Sequence, residues 1–298
     1  MLSLCQNALV RAQEPEASLQ DRIQTELRAG QAGSALQLAR LAVGQYPKSS
    51  GLYRLLGTIE FKQGASEQAR RDLRRSIELD ATVPKGYYEL GLVDFHSRHL
   101  REATQLLKTY LRVEPRDAEG WLLLGRTYHL LNQNTLAQQQ FQTAVALAPQ
   151  QYSAHYYLGR SEEQEGAFSA ALDQLKQAIR INPRVYDSYW LAGDAELGAG
   201  DADAAEQLFV AATKLEPDGY LAHEGLGRAL LARGQAQEAA NELTLALRDN
   251  PTASDAHCAL GEAYAKIGKT LDAEIEFHAC MQLGAPKSAI SSDRRWPN

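Results

Sequence analysis

Residues 118–151 read AEGWLLLGRTYHLLNQNTLAQQQFQTAVALAPQQ. Trp121, Leu124, Gly125 and Tyr128 recur at spacings of three and four, which places them on one face of a helix. A polar break follows at Asn132, Gln133 and Asn134. Ala137, Phe141 and Ala144 then mark one face of a second helix, and Pro149 ends it, because proline cannot continue a helix and disfavours helix in the residue before it. Two helices of about 14 residues would each run about 20 Å.

The same pattern extends in both directions without insertion or deletion. Ala35, Ala69, Ala103, Ala137, Ala171, Ala205, Ala239 and Ala273 stand 34 residues apart. Twelve residues before all but the first stands Gly57, Gly91, Gly125, Gly159, Gly193, Gly227 or Gly261. Pro47, Pro115, Pro149, Pro183, Pro217 and Pro251 form a third column, with Ala81 and Ala285 in its remaining places. Such a period marks stacked copies of one supersecondary unit. The expected repeats are 16–49, 50–83, 84–117, 118–151, 152–185, 186–219, 220–253 and 254–287, preceded by an extension over 1–15 and followed by a polar tail over 288–298. The glycine and alanine columns leave room where the two helices of a repeat approach. Gly30, Gly64, Gly166, Gly200, Gly234 and Gly268 mark the turn between them, where a left-handed residue ends a helix; Arg98 and Asn132 occupy that place in two repeats.

The columns resemble the tetratricopeptide repeat family. The fourth repeat carries the fullest set: Trp121, Leu124, Gly125, Tyr128, Ala137, Phe141, Ala144 and Pro149. The first is the poorest, with Ile23 in the glycine column, as befits a terminal repeat. The resemblance covers about nine tenths of the chain. It implies an all-α, right-handed superhelical solenoid whose first helices line a concave groove that holds ligands.

Counting one place after the Trp121 column, the residues expected to face that groove are Gln20, Arg54, Tyr88, Leu122, Tyr156, Trp190, Glu224 and Cys258. One turn further on come Gln24, Thr58, Leu92, Arg126, Arg160, Asp194, Arg228 and Glu262. Aromatic and arginine side chains are the types enriched at interaction hot spots, so Tyr88, Tyr156, Trp190, Arg126 and Arg160 are the central candidates; packing between neighbouring first helices is the alternative. Other inward positions suggest a charge gradient. Arg28, Arg54, Lys62 and Lys85 lie at the N-terminal end with no inward acid. Asp187, Asp194, Glu224, Asp255 and Glu262 lie at the C-terminal end against Arg228 and Lys266. The Lys/Asn pair with which chaperone-binding members of the family clamp a terminal carboxylate is absent from these columns.

The chain has 298 residues and a formal net charge of −6, which does not favour nucleic acid or an anionic membrane surface. No apolar run is long enough to span a bilayer. Three cysteines suggest no disulfide framework; Cys280 reads as a small core residue and Cys258 as a thiol facing the groove. His155, His223 and His257 share the Trp121 column on separate repeats, and His96 and His99 flank Arg98, so no metal site is expected. Arg70, Arg71, Arg74 and Arg75 read as a solvated basic stripe. No nucleophile elbow or phosphate loop occurs, and no cofactor or catalysis is expected. Residues 1–12 read either as a frayed end or as a shortened export signal, which leaves a cytoplasmic location as the default and a periplasmic or secreted one as the alternative.

In the last repeat Ile275 replaces the polar residue found at its column elsewhere. Ile275, Phe277 and Met281 are therefore expected at an apolar array end, covered by self-association into a homo-oligomer or by the tail carrying Trp296. The expected function is a scaffold or adaptor that holds a protein or peptide partner bearing acidic and aromatic residues. An assembly factor working through the array ends, or a regulatory subunit of a partner enzyme, are the alternatives.

Overall fold

A computed structural model describes residues 14–284. Its elements are α1 (Glu16–Arg28), α2 (Ala32–Gln45), α3 (Ser50–Lys62), α4 (Ser66–Leu79), α5 (Pro84–His96), α6 (Leu100–Val113), α7 (Ala118–Leu130), α8 (Asn134–Leu147), α9 (Tyr152–Gln164), α10 (Phe168–Ile181), α11 (Tyr186–Ala199), α12 (Ala202–Leu215), α13 (Tyr220–Ala232), α14 (Ala236–Asp249), α15 (Ser254–Lys266) and α16 (Thr270–Leu283). No strand occurs among the described residues. Two compact bodies divide the chain, one up to Gln133 with α1–α7 and one from Asn134 with α8–α16. Within each body each helix packs on the next one along the chain, from α1 to α7 in one and from α8 to α16 in the other. Neighbouring first helices also touch: α1, α3, α5 and α7 in one body, α9, α11, α13 and α15 in the other.

The turn inside each repeat has one hydrogen-bonding solution. The amides of Gln31, Ala65, His99, Gln133, Ala167, Asp201, Gln235 and Lys269 each donate to the carbonyl five residues back, at 2.8–2.9 Å. This bond wraps the chain over the helix end and requires a left-handed residue just before the donor. Glycine meets that need at Gly30, Gly64, Gly166, Gly200, Gly234 and Gly268, whereas Arg98 (φ 63°) and Asn132 (φ 57°) adopt it with a side chain present. Asparagine tolerates this region and arginine does so less well. Arg98→Gly should therefore stabilise the first body by about 0.5–1 kcal/mol in urea unfolding, and an unchanged or lower midpoint would contradict this account of the turn.

The glycine column answers to the alanine column. A Cβ on Gly159 would stand 2.8 Å from Leu175 and 3.0 Å from the carbonyl oxygen of Ala171. Gly57 meets Leu73 and the Ala69 carbonyl in the same way. Bare backbone on one helix and a methyl on the other thus let the pair close.

The Trp121 column has a polar duty that periodicity alone does not reveal. Trp121 Nε1 donates to the Pro115 carbonyl (2.9 Å), six residues back. The hydroxyls of Tyr87 and Tyr189 donate to the carbonyls of Ala81 and Pro183. Nε2 of His155, His223 and His257 meets the carbonyls of Pro149, Pro217 and Pro251. The column therefore takes a flat side chain with a donor at its tip, which satisfies a carbonyl left over at the end of the preceding helix. The histidines use their second nitrogen as well: Nδ1 lies 2.8 Å from Gln174, 2.7 Å from Glu242 and 2.6 Å from Glu276, respectively. The Glu242 hydrogen bond raises the His223 pKa against the opposing effect of burial. Packing and hydrogen bonding account for all three rings.

Candidate functional site

The ten candidate groove residues separate by exposure. Leu122, Tyr156, Arg160, Trp190, Asp194 and Glu224 are buried; Tyr156 is 1% and Arg160 2% exposed. Arg54, Tyr88, Arg126 and Arg228 retain exposed surface. Three of these four belong to the first body, on the adjoining helices α3, α5 and α7.

On that face Arg54 Nη1 bonds Glu89 Oε1 at 2.9 Å, joining α3 to α5. Burial raises the Glu89 pKa, and Arg54 and Lys85 oppose the rise. The Tyr88 ring lies 5.2 Å from that of Tyr110. Burial, with Glu119 and Asp117 nearby, pushes its hydroxyl up to about 12, so it remains a hydrogen-bond donor at neutral pH. The Arg126 guanidinium sits over the Phe95 ring, 4.9 Å from its centre. A ring in that position restrains a long side chain before any ligand arrives. The face offers two guanidinium groups, a phenol and the apolar flank of Leu92.

In the second body the corresponding column is built into the packing. Tyr156 contacts the rings of Tyr152 and Tyr157, at 5.9 and 5.2 Å. The Trp190 indole donates to Asp187 (3.0 Å), and the Tyr186 hydroxyl accepts from the Ala222 amide (2.9 Å), tying α11 to α13. Spacing identified the direction of these side chains but not the size of the neighbours that close over them.

Part of the expected charge gradient is engaged in ion pairs inside the fold. Arg54 pairs with Glu89, so the N-terminal end carries an inward acid after all. Arg228 pairs with Asp194 (2.9 Å), and Lys266 with Glu262 (2.9 Å). Nor is the basic stripe of α4 merely solvated, because Arg70 Nε bonds the buried Asp94 at 2.7 Å. That contact has counterparts. Arg40 pairs with Glu60 (3.1 Å) and Lys176 with Glu196 (3.2 Å), each linking a second helix to the next first helix. Glu162 shares the column of Glu60, Asp94 and Glu196, yet the places occupied by Arg40 and Lys176 hold Gln142 in α8. Glu162 is buried, its Oε2 has no hydrogen-bond partner, and desolvation followed by repulsion from Glu165 and Asp173 raises its pKa to about 7.

The cysteines require a correction. Cys258 and Cys280 form a disulfide between α15 and α16, with Cα atoms 5.3 Å apart. Cys258 is thus not a free groove thiol, nor is Cys280 only a small core residue. A residue in the Cys258 column faces the residue 22 places later across its own helix pair, and the Tyr88–Tyr110 contact repeats that geometry in the third repeat. Reading each column separately concealed the pairing.

At the C-terminal end Ile275 is 64%, Met281 70% and Leu271 75% exposed. Phe277 packs one side of its ring against Gly261 and leaves the other open. Trp296 lies outside the described residues.

A tetratricopeptide repeat model matches residues 21–84, 131–185, 191–248 and 230–279, more than half of the chain. The chain belongs to the tetratricopeptide repeat family. Among solved structures, a chain of the APC/C hetero-tetramer Cut9–Hcn1 aligns over 81% of this chain and 48% of its own (TM-score 0.63, 16% identity). YrrB, described as a tetratricopeptide repeat protein with an unusual peptide-binding site, aligns over 62% of this chain and 95% of its own (TM-score 0.55, 23% identity). MamA from Desulfovibrio magneticus RS-1 aligns over 57% and 96% (TM-score 0.54, 22% identity). These likenesses concern the fold. No curated protein matches the sequence. Among the described residues of this tetratricopeptide repeat array, no helix is long and apolar enough to cross a membrane.

Proposed function

We propose that the protein is a non-catalytic interaction scaffold that holds an extended partner segment against α3, α5 and α7. The observation that carries this reading is the Arg126 guanidinium laid over Phe95 beside Tyr88, with Arg54 on the same side. A restrained arginine next to a donor phenol suits a segment with carboxylate and aromatic side chains, because guanidinium binds carboxylate in a planar fork and aromatic surface adds contact area. The peptide-binding site described for YrrB is in keeping with a peptide segment as the ligand. The perturbed carboxyl of Glu162 does not favour catalysis, since acids surround it and no nucleophile or base is paired with it.

A second reading rests on the apolar end formed by Leu271, Ile275 and Met281, through which the array would associate with a second copy or with another assembly component. One affinity series separates the two. Peptides selected from a displayed library on the wild-type protein should lose at least about tenfold in affinity on Arg126→Glu, equivalent to about 1.4 kcal/mol, and should be indifferent to Ile275→Lys. The reverse pattern would transfer the function to the end of the array.

A further inference from the structure

We propose that the Cys258–Cys280 bond is a redox-controlled staple that keeps the α15–α16 helix pair closed. In the second body α10, α12 and α14 are each sandwiched between their own first helix and the next one. Among the described residues α16 has only α15 to pack against, and it turns Leu271, Ile275 and Met281 outward. Among the described residues its local opening is opposed by one helix interface rather than two, which favours opening relative to α10, α12 and α14.

Packing does not demand cysteine at either place. The Cys280 column holds Ala42, Ala144, Ala178, Ala212 and Ala246 elsewhere, so alanine fits there. What the two cysteines add is the bond, and the fold brings them together: the 5.3 Å Cα separation lies within the usual disulfide range, and the Tyr88–Tyr110 pair marks the same two columns as contacting neighbours. A cross-link between residues 22 apart removes open conformations of the pair, which shifts the α15–α16 opening equilibrium on the order of 100-fold.

The chemistry is thiol–disulfide exchange. Cys280 is buried and Cys258 is partly exposed, so an incoming thiolate attacks Sγ of Cys258 and Cys280 leaves as a thiolate. A second thiol of the reductant then releases Cys258, and the dithiol reductant ends as a disulfide, with two electrons and two protons passed to the cysteines. Oxidised glutathione closes the bond by the reverse two-electron step. The staple is closed in an oxidising compartment and open where dithiol reductants dominate.

The test uses the full-length protein equilibrated with oxidised glutathione. Alkylation followed by peptide mass spectrometry should leave Cys258 and Cys280 unlabelled and free of glutathione adducts until dithiothreitol is added. Amide exchange in α16 should then accelerate about 100-fold on reduction, while α10 and α12 stay unchanged. Cys280→Ala, which keeps the packing, should exchange rapidly in α16 from the outset and ignore dithiothreitol. Labelling or glutathionylation of Cys258 and Cys280 after equilibration would overturn the proposal. So would a bond that forms but leaves α16 exchange equal before and after reduction.

Discussion

Arg70→Met should lower the stability of the first body by about 3 kcal/mol at pH 8, and adding Asp94→Leu should recover most of that loss. Asp94 is 1% exposed, and Arg70 supplies its 2.7 Å ion pair from α4. Removing the cation leaves a buried carboxylate whose remaining basic neighbours are His99, 3.8 Å away, and Arg74. Losing one member of a buried pair costs far more than the pair contributes net, because the survivor's desolvation is no longer offset. Replacing both members by apolar groups avoids the penalty, and Leu230 already fills the Asp94 column in the seventh repeat. Burial also raises the Asp94 pKa against the pull of Arg70. Without Arg70 the rise should be larger, so the defect should shrink as the pH falls and the carboxyl takes up a proton. Urea unfolding at pH 8 and pH 5 checks both statements. A double variant no more stable than Arg70→Met would show that Asp94 holds the fold by some route other than this pair.

Glu162→Gln should act in the opposite sense and stabilise the second body by about 2 kcal/mol at pH 8. The folded-state pKa of Glu162 is raised from 4.5 to about 7. A raised acid favours folding only while it is protonated: below its unfolded pKa both states hold the proton, and between 4.5 and 7 the folded state alone retains it. Stability therefore falls as pH rises through that window and levels off above it. Glutamine imitates the protonated form at every pH, so its advantage should vanish near pH 4.5 and be complete by pH 8. Gln142→Lys should give part of the same gain by supplying the cation that Lys176 supplies to Glu196. A gain independent of pH would assign the effect to packing instead of charge.

Much of this architecture was legible in the sequence because its columns answer to steric needs that repeat. Gly159 must admit Ala171, the residue before Ala167 must be left-handed, and Pro149 must stop a helix. Each need leaves one residue type at one spacing. The candidate site was legible only by direction. Spacing placed Tyr88 and Tyr156 on equivalent faces, but one is half-covered beside Tyr110 and the other is enclosed by Tyr152 and Tyr157. Exposure depends on the bulk of neighbours in the adjoining repeats, which a single column does not contain. The ion pairs from second helix to next first helix and the Cys258–Cys280 bond were missed for the same reason. Each joins two columns, and their signal is a fixed separation: 20 residues for Arg40–Glu60 and Lys176–Glu196, and 22 for the cysteines.

The central claim is that partners are held on the first-helix face of the first body. Photo-cross-linking addresses it directly, with a benzophenone side chain placed in turn at position 88 and position 275 and a library-selected peptide as the probe. The account predicts cross-linked peptide from position 88 and none from position 275. Cross-links confined to position 275 would contradict it and assign binding to the exposed end of α16.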